Sequence, residues 1–84
     1  MITKIAKVVD VRNKTVQSIK LCDPYGDTIV DKWYHHMDFV MDYLNVTFES
    51  GIYYKFQFNN SGYITKVYNL TGLEVFNLRR DLNK

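Results

Sequence analysis

The chain is poor in the residues that build covalent, metal or redox chemistry. It has one cysteine, one proline, four glycines and two histidines. The lone Cys22 excludes an internal disulfide and a cysteine-based zinc site. It reads as a small buried hydrophobe in a reducing compartment. Nowhere do ~18 apolar residues run together, so no membrane-spanning helix is expected. Lys4 and Lys7 interrupt the start of the chain before a signal-peptide core could form, which points to the cytoplasm. There is no P-loop, dinucleotide-binding turn, HExxH or nucleophile elbow. An 84-residue domain also seldom encloses a pocket of the usual ~300–1,000 Å³. Neither catalysis nor a cofactor nor a metal is expected.

What the chain has in excess is aromatic area. Seven Tyr, five Phe and one Trp make 15% of the residues. Chains of this size bury only roughly 60% of the surface exposed by the unfolded chain. So slight an interior should leave some of the thirteen rings at the surface, where Tyr and Trp serve as binding anchors. Net charge is only +2, but it is patterned. Residues 1–20 carry +4, residues 21–50 carry −5 and residues 51–84 carry +3, which could give two faces of opposite sign.

The element pattern predicts a single α+β domain over residues 1–84. An antiparallel sheet of about five or six strands would carry one amphipathic helix packed on it, in the order β-β-α-β-β-β. Two Ile- and Val-rich runs, 2–11 and 15–22, flank the polar Arg12-Asn13-Lys14 and suit a hairpin. Asp23-Pro24-Tyr25-Gly26 is a turn signal, with Pro presetting φ and Gly permitting positive φ. Residues 28–45 place Ile29, Val30, Trp33, Met37, Val40, Met41 and Leu44 on one helical face, behind the capping pattern Thr28-Ile29-Val30-Asp31. A competing reading makes residues 28–34 a strand and starts the helix near Met37, because Ile29 and Val30 are β-branched and lie near aromatics. Residues 46–48 read as a short strand, and 52–58 alternate cleanly. Asn59-Asn60-Ser61-Gly62 is a hairpin turn and 63–70 the next strand. Thr71-Gly72 reads as a tight turn, 73–78 as the last strand and 79–84 as a polar tail.

Four constellations arise from this layout. On the predicted helix, Asp31, His35, Asp38 and Asp42 have the spacing of a metal-binding row, but a solvated face explains them as well and no further ligands are marked. Off the main apolar face lie Phe39 and Tyr43, four residues apart, with His36 nearby. Together with Tyr25 and Tyr53 they could form an exposed aromatic strip for docking a protein. The opposing reading is that these rings complete the core. Tyr53, Lys55 and Gln57 share one strand face. With Lys66, Arg79 and Arg80 they could stack and neutralise a nucleic acid. Lys55-Phe56-Gln57-Phe58 resembles the aromatic-spaced strand of RNA-recognition motifs, although the glycines of that motif are missing and Phe56 and Phe58 fall on the apolar face.

The sequence therefore leads first to a non-catalytic protein-binding module, most simply a homodimer. It would act as an inhibitor or adaptor that occludes a protein target, with a counter-defence role among the options. Asn, Lys, Ile and Tyr are abundant, as in AT-rich phage and mobile-element genes. A nucleic-acid-binding β-rich module is the second reading. A small-ligand-sequestering oligomer, with its pocket between subunits, is the third.

Overall fold

The computed structural model describes residues 1–13, 17–23, 32–41 and 46–82. Ile- and Val-rich β1 (Ile2–Asn13) pairs antiparallel with β2 (Gln17–Cys22), as the hairpin pattern predicts. β3 (Lys32–Tyr34) adds to the outer edge of β2, and β4 (Tyr53–Phe58) pairs with the other edge of β1. β5 (Ile64–Asn69) completes the sheet, and α1 (Gly72–Leu82) follows. The sheet order is β3-β2-β1-β4-β5, antiparallel throughout. With its single α-helix among the described residues, the domain belongs to the α+β class expected. No helix among those residues is long and apolar enough to cross a membrane.

Two irregularities explain why strand alternation is imperfect in the sequence. The β1–β2 register shifts between Val8 and Asp10, which sends Asp10 outward and Val11 inward. The β4–β5 register shifts between Gln57 and Phe58, so that Ile64 and Val67 both face the core. The hairpin between β4 and β5 turns as its sequence requires. Asn59 Oδ1 accepts from the backbone N–H groups of Ser61 and Tyr63, and Gly62 sits at φ +86.

One face of the sheet carries the core. Tyr34, Phe39, Phe48, Tyr54, Phe56 and Phe58 are buried there around Ala6, Val8, Ile19, Leu21 and Ile64. Phe48 stacks on Phe56 at 6.2 Å and meets Tyr54 edge-on at 5.4 Å. The Tyr54 hydroxyl accepts from the Glu49 N–H and lies 3.5 Å from the Thr47 carbonyl, which satisfies the polar end of a buried ring. The sheet curls over this core. Phe39, just beyond β3, bridges to Ile64 at the start of β5, and the Val40 N–H donates to the Ile64 carbonyl at 2.9 Å. Tyr34 on β3 and Phe58 on β4 lie 6.0 Å apart. The two edges of the sheet are thus drawn towards each other, in the manner of a partly closed barrel.

The α-helix lies elsewhere than expected. Within the segment 28–45, residues 32–34 form a strand and His36–Asp38 a 3-10 turn, while 28–31 and 42–45 fall outside the described residues. The strand reading of 28–34 is therefore the one that holds for 32–34. The helix instead occupies Gly72–Leu82, where a last strand and a polar tail were read. Thr71 and Glu74 form a reciprocal cap. The Thr71 N–H donates to Glu74 Oε1 at 3.0 Å, and the Glu74 N–H donates to Thr71 Oγ1 at 3.2 Å. Thr71-Gly72-Leu73-Glu74 is thus a capping pattern, and Thr28-Ile29-Val30-Asp31 falls outside the described residues.

Lys55 Nζ donates to the other oxygen of Glu74 at 3.0 Å, which ties the helix to the sheet face opposite the aromatic core. The Thr71 N–H and then Lys55 hold the Glu74 carboxyl below its ordinary range. A carboxyl lowered by folding contributes stability above its unfolded pKa of about 4.3, and that contribution is lost as pH falls through the folded value. The protection of the helix amides, taken relative to their intrinsic exchange rates, should therefore fall as pH drops through the folded value. Glu74→Gln should remove that acid step, as read by amide exchange over residues 72–82 against the β4 amides.

Candidate nucleic-acid interface

Strand alternation puts a second set of residues on the face turned away from the aromatic core. β4 presents Tyr53, Lys55 and Gln57, because Tyr54, Phe56 and Phe58 point inward. Register carries that face across the sheet. Lys55 stands opposite Tyr68 on β5 and Ile5 on β1, Gln57 opposite Lys66, and Tyr53 opposite Lys7. Beyond the β1 irregularity, Asp10 stands opposite Lys20, and Lys20 opposite Trp33. Arg12, two residues on from Asp10, shares the face.

The aromatic and cationic side chains on this face meet in pairs. The Arg12 guanidinium lies 4.6 Å from the centre of the Trp33 ring. Lys7 Nζ is 5.9 Å from the Tyr53 ring and Lys55 Nζ 5.6 Å from the Tyr68 ring. All three pairs are within cation–π range, and they draw on four of the five strands, including both edges, β3 and β5. Lys7, Arg12, Lys20, Lys55 and Lys66 stand against the single sheet carboxylate Asp10, whose Oδ1 accepts from the Val11 N–H. Among the described residues, Lys55 is the one of these five cations held in an ion pair. Two carboxylates of the acidic middle, Asp23 and Asp38, lie on the other side. Asp23 is buried 3.6 Å from Lys4, and Asp38 sits close enough to Tyr34 to add to the burial that raises that phenol's pKa.

The helix borders this face. Between it and the sheet lies a cavity of about 340 Å³ lined by Ile52, Tyr53, Val75, Leu78 and Arg79 among others. A second cleft, of about 370 Å³, opens on the core side. Both are open clefts at the surface, formed where the sheet curls and the helix stands off from it.

The sequence-predicted residues separate into two groups. Of the protein-docking strip, Phe39 is 8% exposed and packs on Phe48 in the core. Residues 39–41 are not helical, so the proposed helical pairing with Tyr43 does not arise. His36 is exposed in the 3-10 turn, Tyr53 is half-buried on the outer sheet face, and Tyr25 and Tyr43 lie outside the described residues. The nucleic-acid set is gathered instead. Tyr53, Lys55 and Lys66 share the outer face, Arg79 lines the cavity beside Tyr53, and Arg80 is exposed, 3.6 Å from Asp81. In the predicted metal row, His35 Nδ1 lies 3.0 Å from Ser18 Oγ, and Asp38 Oδ2 accepts from the His35 N–H, capping the 3-10 turn. Asp31 and Asp42 fall outside the described residues.

Sequence reasoning missed Lys7, Arg12, Lys20, Trp33 and Tyr68. Trp33 was assigned to the apolar face of a helix. As the middle residue of a strand, its side chain opposes that of Tyr34, which is 3% exposed and inward. No family model, curated protein or solved structure matches the chain. The class it can be given is the one its fold defines: an α+β domain built on a curled five-stranded antiparallel sheet.

Proposed function

We propose that the protein binds single-stranded nucleic acid across the outer face of its sheet. The observation that supports this is the interleaving of three rings with five cations on one face. Bases of any sequence offer a π-face to rings such as Trp33 and Tyr68, and lysine and arginine heads beside the rings neutralise the backbone between them. Trp33 on β3 and Tyr68 on β5 are four strand spacings apart, about 19 Å along the sheet. That span suits a short stretch of extended strand rather than one base. Duplex DNA buries its base faces, so the same surface should prefer single strands.

Fluorescence anisotropy of a labelled oligonucleotide tests the proposal. Retention is expected at about 20 mM salt, with affinity falling as a power of salt concentration at a slope of about −0.7 per neutralised phosphate. Three or four contacts would give a slope near −2 to −3 by that rule. An oligonucleotide that stays free even at low salt ends this reading. The protein-docking reading would then stand on a different surface from the one expected: Leu73 and Phe76, 69% and 62% exposed and three residues apart on α1.

A further inference from the structure

The cleft on the core side is not used by the outer-face reading. It lies where the curled sheet remains open, at the end of β1 and beneath the β4–β5 turn. Barrel mouths are favoured places for small-molecule sites, and its volume of about 370 Å³ lies in the usual ligand range. Its inner wall is aromatic. Tyr34 and Phe58, both buried along most of their length, present tilted rings at 6.0 Å and 48°. Ile2, 56% exposed, forms an apolar side wall.

The rim is built almost wholly of donors. Lys4 and Lys32 both line the cleft, with Lys32 Nζ 5.1 Å from the centre of the Tyr34 ring. Asn59 Oδ1 is already engaged by the Ser61 and Tyr63 N–H groups. With that oxygen doubly engaged, Asn59 has its NH₂ end to offer a ligand, and the Asn60 amide stands beside it on the rim. Among the described residues, one carboxylate stands against these: Asp23, 5% exposed and 3.6 Å from Lys4. Burial, with Asp38 second, raises the Tyr34 pKa, so the phenol stays protonated and adds no negative charge at neutral pH.

An aromatic wall beneath a donor-rich, cationic rim selects for a ligand with both a ring and a negative charge. We infer that this cleft binds a small aromatic anion, an aryl carboxylate or aryl phosphate, with the ring against Tyr34 and Phe58 and the anionic group between Lys4 and Lys32. The ligand needs no second subunit, in contrast to the interfacial pocket expected for a sequestering oligomer. It also lies on the opposite side of the sheet from the outer-face cations, so the two proposals fail separately.

Proton–nitrogen correlation spectra of the full chain, titrated with phenyl phosphate, benzoate, phenol and inorganic phosphate, test it. Phenyl phosphate, benzoate or both should shift the Asn59, Asn60 and Gly62 backbone amides and the two side-chain NH₂ pairs in a saturable way. Which of the two does so identifies the anion. Phenol and inorganic phosphate, each holding half of the recognition, should bind roughly tenfold more weakly or worse. Lys32→Gln should weaken binding about tenfold, as loss of one charge-assisted contact does. Asn60→Asp, which sets a carboxylate on the rim, should do at least as much. Lys4→Gln is the poorer variant because Lys4 also faces the buried Asp23 and the fold could suffer. Phenol binding as tightly as the anions would reduce the cleft to an apolar hollow and overturn the inference. So would shifts centred on the Trp33 indole and Tyr68, or no shift at millimolar ligand.

Discussion

Phe56→Ala should lower the unfolding free energy by about 3–5 kcal/mol, the range for deleting a buried phenylalanine ring. Phe56 is 0% exposed and lies at the centre of the ring cluster, 6.2 Å from Phe48 and Tyr54 and 6.4 Å from Phe58. Its three neighbours sit on a paired strand or in a segment held by hydrogen bonds, so collapse into the void is limited. A chain of 84 residues has roughly 4–13 kcal/mol of stability in total at ordinary per-residue values. The variant should therefore be close to its unfolding midpoint at room temperature, or past it. Urea denaturation followed by circular dichroism reads the change directly. Phe76→Ala in the same assay should move the midpoint by no more than ~0.5 kcal/mol, because that ring is 62% exposed. A Phe56→Ala loss below about 1.5 kcal/mol would mean that the rings do not pack as described.

The contrast between these two phenylalanines also marks how far the sequence could be read. β4 was legible because both faces of Tyr53–Phe58 alternate without a break, and Phe56 was placed inward on that pattern alone; Ile52, read as inward with it, lies outside the strand, is 45% exposed and lines the helix-side cavity instead. The hairpin turn at Asn59–Gly62 was legible because its side-chain hydrogen bonds are local. The surplus of rings was legible too. Six of the eleven described rings are buried, Trp33 and Tyr53 are half-buried, and Tyr63, Tyr68 and Phe76 are exposed. What could not be read was decided by non-local pairing. Trp33 is fixed in a strand by its register with Lys20, a contact thirteen residues away that no periodicity window registers. Once Trp33 was assigned to a helix, the outer face lost its best stacking ring. The C-terminal helix was missed for the opposite reason. Its signals were local, with Thr71 and Glu74 as cap and Val75, Leu78 and Leu82 at helical spacing, but Val75 and Phe76 are good strand formers and drew the segment into a sheet. The two register shifts, which no single strand announces, then decide that Asp10 and Lys66 point outward.

The same outer face should give way in a characteristic manner when its rings are removed. Trp33→Ala and Tyr68→Ala should each weaken oligonucleotide binding by ~1–3 kcal/mol, the value of one base stacked on one ring. That is roughly five- to 150-fold per ring. The two sit on opposite edges of the sheet and share no described contact, so the double variant should lose the sum of the two effects to within about 0.5 kcal/mol. Their salt dependence should stay that of the parent, because neither substitution removes a charge. Lys66→Gln should behave in the reverse sense, with a smaller loss of affinity and a salt slope shallower by about 0.7. Tyr68 is 40% exposed, so its truncation should leave thermal unfolding nearly unchanged and the affinity loss cannot be charged to misfolding. Trp33 is more buried and holds the Arg12 guanidinium, so Trp33→Phe is its companion variant, keeping a ring in place and most of the binding with it. If both alanine variants lost affinity only in step with a flattened salt slope, the rings would be acting merely as supports for their cations. Binding would then be electrostatic alone, and the preference for single over double strands should vanish with it. A stacked interface predicts the opposite on both counts: the slope survives the loss of the rings, and the strand preference falls with each ring removed.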